Sequence, residues 1–149
     1  MALPPFDSLA GVRRSIEQLR GGTVRSTGVW DLAHVLHHFA QSVEYSMTGF
    51  PELKPAWFRH SVGPVAFAVF AGRGRMSHGL DAPIPGAPDI AEGQPLDGAG
   101  THAITALDAF ERFTGPLQPH FAYGALDKPQ FTQAHVMHLA DHWQLFAAQ

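Results

Sequence analysis

Apolar residues recur every three or four positions in successive segments of this chain, and Gly, Pro or a capping residue bounds each segment. That period matches the 3.6-residue turn of an α-helix, and no alternating strand pattern competes with it. Asp7 or Ser8 is placed to cap a first helix bearing Leu9, Val12, Ile16 and Leu19, which ends near Gly21-Gly22. A second helix is expected from about Trp30 to Met47, with Leu32, Leu36, Phe39, Val43 and Met47 in one stripe and a stop at Gly49-Phe50-Pro51. Trp57 to Phe70 reads as a bent helix interrupted near Gly63-Pro64. The segment Gly79 to Gly100 is so rich in Pro and Gly that it reads as an irregular crossover or lid. Thr101 then caps a third main helix carrying Ile104, Leu107, Phe110 and Phe113, which ends before Gly115-Pro116. A turn over Pro119 to Gly124 leads to a last helix, from Lys128 or Pro129 to the C-terminus.

At 149 residues the expectation is one all-α domain over positions 1–149, able to bury roughly two thirds of its unfolded surface. The net charge of -3, from 10 Lys plus Arg against 13 Asp plus Glu, gives no broad basic face for a phosphate backbone, so nucleic acid is not an expected partner. The N-terminus lacks the basic stretch and apolar core of a secretory signal. The longest apolar run, Val65 to Ala71, is far short of the ~20 residues a membrane span needs. A cytoplasmic protein is the expectation, with no membrane partner. Cysteine is absent, so thiol nucleophiles, disulfides and thiolate zinc sites are excluded, and any metal must take nitrogen and oxygen ligands.

Ten histidines in such a chain carry the chemistry, since neutral imidazole is the commonest metal ligand and a ready acid or base. On the last helix Phe131, His135, His138, His142, Leu145 and Phe146 fall on one side, and Gln133, Met137, Ala140 and Gln144 on the other. A core-facing stripe would ordinarily hold Leu or Ile, and a buried imidazole without a partner costs about 1–3 kcal/mol. His138 and His142, four residues apart, can reach one ion from successive turns; the plainer reading has them hydrogen-bonded to core water, carbonyls or carboxylates. The second helix offers His34, His37 and His38, with Gln41, Glu44 and Tyr45 nearby. A solvated face is the plainer reading of His34 and His37, and the spacing does not choose between His37 and His38 as a core-facing group.

Four stretches carry a resemblance: WDLAHVLHHFAQSVEYSMTGFP from Trp30, VGPVAFAVFAGRGRMSHGL from Val62, IPGAP from Ile84 and PHFAYGALDKPQFTQAHVMHLADHW from Pro119. In their order and over most of the chain they resemble the DinB-like superfamily, within a branch that has no settled activity. The resemblance implies an up-down four-helix bundle with a long Pro/Gly-rich crossover between its second and third main helices. It also implies a divalent metal held by one histidine of the second helix and two of the last, which by position are His38, His138 and His142. Three nitrogen ligands leave room for water or substrate, as in catalytic zinc; nickel, iron or manganese fit as well. His135 is then a partner behind the ligands, a fourth ligand or a proton shuttle, in that order. Glu44 and Tyr45 are placed to orient an imidazole or handle a proton, against the commoner fates of a surface ion pair and a core-edge tyrosine. His78 and His120 lie in matching stretches and are placed to close over the site; a solvated loop histidine and a turn-stabilising one are the plain alternatives.

Three functions follow as expectations. One is a metal-dependent enzyme acting on a small molecule, a transferase that uses a thiol cosubstrate or a hydrolase, with His135 or Glu44 moving the proton. Another is a metal-free bundle binding an apolar ligand under the Gly79 to Gly100 lid. The third is a structural homodimer built on the Trp57 to Phe70 stretch.

Overall fold

Three helices begin where a short acceptor side chain meets the first free N–H groups. Ser8 accepts from Gly11 N, Asp31 from His34 N, and Asp127 forms a reciprocal capping box with Gln130. In the computed structural model, which describes residues 6–148, these open α1 (Leu9–Leu19), α2 (Leu32–Thr48) and α6 (Lys128–Trp143). The other elements are β1 (Val24–Ser26), α3 (Ala56–Arg59), α4 (Val62–Arg73), α5 (Leu96–Arg112) and β2 (Phe146–Ala148). The described residues are mostly helical, with one small two-stranded sheet among them. Residues 1–5 and Gln149, which the one-domain and N-terminal readings include, lie outside the described residues.

Helix α2 packs against α5 and α6, and α1 against the same two helices. Val12 and Ile16 of α1, Leu36, Phe39 and Val43 of α2, Leu107 and Phe110 of α5 and Phe131 and Leu139 of α6 meet in one buried core. A second cluster lies on another side of α6, where Ala134 and Met137 pack with Phe67, Met76 and Tyr123. The last helix is therefore buried on two sides. Met137, assigned to the opposite side from the histidines, is itself in the interior.

Several boundaries differ from those expected. Helix α5 starts at Leu96 behind Pro95, so Thr101 lies inside the helix, its hydroxyl donating to Asp97 O at 3.1 Å, and caps nothing. Gly100 breaks no helix here: a Cβ on it would approach Arg20 Cβ to 3.2 Å, so the glycine lets α1 and α5 come close. The interruption after Trp57 falls at His60-Ser61, between α3 and α4. Gly63 and Pro64 sit in the first turn of α4, where proline removes no helical hydrogen bond. The last helix stops at Trp143, and Phe146–Ala148 pairs antiparallel with Val24–Ser26. Strands of three residues are too short to show alternation, which is why the sequence carries no sign of them.

The turn over Pro119 to Gly124 is held by reciprocal backbone bonds between His120 and Gly124, of 2.9 and 3.2 Å. It lies hard against α3 and α4. A Cβ on Gly63 would sit 1.9 Å from Ala122 O, and one on Gly124, whose φ is +82°, would sit 2.5 Å from Arg59 O. Gly72, in the same helix, has nothing within 4 Å of its Cβ position. Gly63→Ala is therefore expected to destabilise by about 1–3 kcal/mol through overpacking, whereas Gly72→Ala should gain up to about 1 kcal/mol of helix propensity. Thermal midpoints of the two variants check this; equal midpoints would refute the close approach.

Candidate metal centre

Helix α6 presents His138 and His142 on successive turns, and α2 brings His38 to them across the core. The irregular segment after α4 adds His78. One nitrogen from each of the four rings lies within 4.8 Å of the other three. His38 Nε2 is 3.1 Å from His138 Nε2, and His78 Nε2 is 3.0 Å from His142 Nε2. Ions with metal–nitrogen bonds of about 2.0–2.1 Å hold neighbouring nitrogens roughly 3 Å apart, so this spacing fits one shared ion. Burial pushes all four imidazoles below their usual range, His38 to about 3 and His142 to about 2, which leaves them neutral lone-pair donors at neutral pH.

The tautomer of His78 follows from its partner. Its Nδ1 lies 2.6 Å from Asp141 Oδ2, an acceptor, so Nδ1 carries the proton and Nε2 offers its lone pair to the cluster. The backbone N–H of His78 donates to the same oxygen at 3.1 Å. A carboxylate behind an imidazole is the arrangement that orients and strengthens histidine ligands. Nδ1 of His38 and of His142, by contrast, are buried without partners among the described residues. Trp30 stacks on His34 at 4.2 Å between ring centres and lies 5.0 Å from His38 and 6.1 Å from His142.

His38, His78 and His138 also line a cavity of about 400 Å³. Its other walls come from Ser42, Lys54, Phe70, residues 76–79 and 82–85, the 120–123 turn and α6. The Pro-rich segment thus walls the cavity through its first part only, since Leu96 to Gly100 is helical.

A family model described as "Protein of unknown function (DUF1569)" matches residues 3–149. The chain belongs to this family. No curated protein and no solved structure matches it.

The residues singled out in the sequence fall into several places. His38, His138 and His142 come together, and they are joined by His78, for which a solvated loop position was the plain alternative. His135 is buried in the core between Phe39, Phe110 and Phe131, its Nε2 3.2 Å from Ser46 Oγ, and its ring also lines the cavity. Ser46 donates to Val43 O at 2.5 Å, so its oxygen accepts the His135 proton. Glu44 lies elsewhere: it bonds His102 Nε2, and His102 Nδ1 meets His37 Nδ1 at 2.8 Å. His37 is thus hydrogen-bonded and half-buried, and His34, also half-buried, stacks on Trp30. Tyr45 packs on Phe50 at the edge of the core, and His60 is exposed. His120 holds its turn, Nδ1 accepting from Ala122 N and Tyr123 N at 3.1 Å each.

Asp141 was not singled out in the sequence. The available sign was an acidic residue three positions after one expected ligand and directly before the other, which on a helix puts it at the edge of the same face.

Burial pushes His135 down to about 3. An unfolded histidine takes up a proton near pH 6.5, so between these values the unfolded state binds more protons. The stability held by the neutral ring is complete above about pH 6.5 and is lost as pH falls toward 3. His135 alone should cost about 1 kcal/mol by about pH 5.5, with the cluster histidines adding to the loss. Urea midpoints of chelator-treated protein at about pH 7.5 and about pH 5.5 measure this; unchanged midpoints would contradict the burial.

Proposed function

We propose that this chain is a metal-dependent enzyme on a DinB-like scaffold, with α1, α2, α5 and α6 as the up-down bundle and His38, His138, His142 and His78 holding one divalent transition metal. The observation that carries the reading is the convergence of four neutral imidazole nitrogens beside a cavity of molecular size. A nitrogen-only donor set suits zinc or nickel, with iron or manganese as alternatives. Such an ion supplies Lewis acidity, activating water for hydrolysis or a thiol cosubstrate for transfer. Three of the histidines stand on helices and are rigidly placed. His78 comes from an irregular segment and is the ligand best able to yield a position to substrate, with Asp141 retaining its Nδ1 proton meanwhile. Of the two residues expected to handle protons, His135 reaches the cavity and Glu44 is engaged with His102. A non-catalytic ligand-binding bundle is the competing reading, supported by the apolar share of the same cavity wall.

Elemental analysis of tag-free protein separates the two readings. About one equivalent of transition metal is expected, lost in His138→Ala, His142→Ala and His38→Ala. Protein that stays metal-free after reconstitution with zinc, nickel or manganese would end the metalloenzyme reading.

Homodimerisation is the remaining part of the proposal. Val62, Val65 and Val69 form an exposed row on α4, 48–64% accessible, and Trp57 of α3 is exposed as well, at 68%. A second copy applying the same row about a two-fold axis would cover it. Sedimentation velocity should show a dimer that Val65→Asp converts to monomer; a wild-type monomer at all concentrations would overturn it.

A further inference from the structure

The cavity beside the histidine cluster has a one-sided charge. Among its lining residues Lys54 is the only one with a formal charge at neutral pH, and no Asp or Glu belongs to its wall. Lys54 forms no ion pair among the described residues; its Nζ lies over the Phe58 ring at 5.1 Å. The lysine is tied to the cavity wall through its backbone, Lys54 N donating to Phe121 O at 2.8 Å. His120, another wall residue, adds a donor. Two backbone N–H groups occupy its Nδ1, so its proton must sit on Nε2, which has no partner among the described residues. The remaining wall is mainly apolar, with Phe70, Met76, Ile84, Phe121 and Ala134.

We infer that the cavity takes a small organic carboxylate with an apolar body, its charged group bound by Lys54 with the Nε2–H of His120 as second donor. A cation on Lys54 and a neutral N–H on His120, both residues of an acid-free wall, suit an acceptor-only group, and they leave a cationic ligand with no counter-charge. The inference deepens the metalloenzyme reading, naming the substrate class of the same cavity, and rests on that reading for the cavity's catalytic role. The metal centre itself is consistent with it. Four uncharged ligands, with Asp141 behind His78 as the one carboxylate described at the cluster, leave a divalent ion with net positive charge, which further favours an anion.

Calorimetric titration with 4-phenylbutyrate and its neutral amide, 4-phenylbutanamide, tests the inference. Both metal-free and zinc-reconstituted protein are titrated, along with Lys54→Gln and Lys54→Arg. The carboxylate should bind the wild type about tenfold or more tightly than the amide in both states. The preference should shrink toward parity in Lys54→Gln, return in Lys54→Arg and weaken with added salt. Lys54 is exposed, so its replacement should leave the fold intact. Equal binding of acid and amide, binding of neither, or a preference untouched by Lys54→Gln would overturn the inference, whatever the metal content. Protein that binds no zinc but keeps the carboxylate preference would refute the metal centre and leave the anion site standing.

Discussion

Burial of α6 on two sides governs what the rest of the molecule must supply. The helix lies between the core shared with α1, α2 and α5 and the smaller cluster of Phe67, Met76 and Tyr123, yet it carries three histidines. An imidazole in such a place cannot stay charged, and its nitrogens need partners from other elements. His135 is matched to Ser46 on α2, whose hydroxyl is turned by its bond to Val43 O. Among the described residues, His138 and His142 find no carbonyl or hydroxyl opposite them; they meet the rings of His38 and His78. Four lone-pair donors facing one another are mutually unsatisfying without protons or a cation between them, and this ties the packing of the helix to its chemistry.

Placing His78 and closing the cavity both depend on irregular backbone, held by contacts that only small residues permit. Gly63 and Gly124 let α4 and the end of α3 press against the 120–124 turn. That turn fixes the His120 ring by two backbone donors and carries Ala122 and Tyr123 into the cavity wall. Asp141, at the edge of the histidine face of α6, anchors the segment after α4 by accepting from both the backbone and the ring of His78. Charge is distributed in the same spirit, with the acidic group behind a ligand and a lysine at the cavity.

The second histidine group, His37 and His102 with Glu44, shows how similar residues diverge by one position on a helix. His37 and His38 are neighbours in sequence, but a step of about 100° sends one to α5 and the other to α6. Glu44, two turns along from His37, follows it to the α5 side. The helical wheel leaves the two rings equally placed about the apolar stripe. What separates them is which helix lies against each flank.

The sequence by itself determined the helical segments, because apolar period, caps and breakers are local: Ser8, Asp31 and Asp127 open the helices expected near them. It also marked His138 and His142 as a pair on one face and, through a family resemblance, His38 as their companion. It could not show that Gly98 and Gly100 lie inside a helix, since a glycine needed for close packing is indistinguishable in sequence from one that breaks a helix. Nor could it pair β1 with β2, or bring His78 and Asp141 together across 63 residues. Those contacts depend on the path of irregular chain between distant elements, which is set by whole-molecule packing; no local period encodes it.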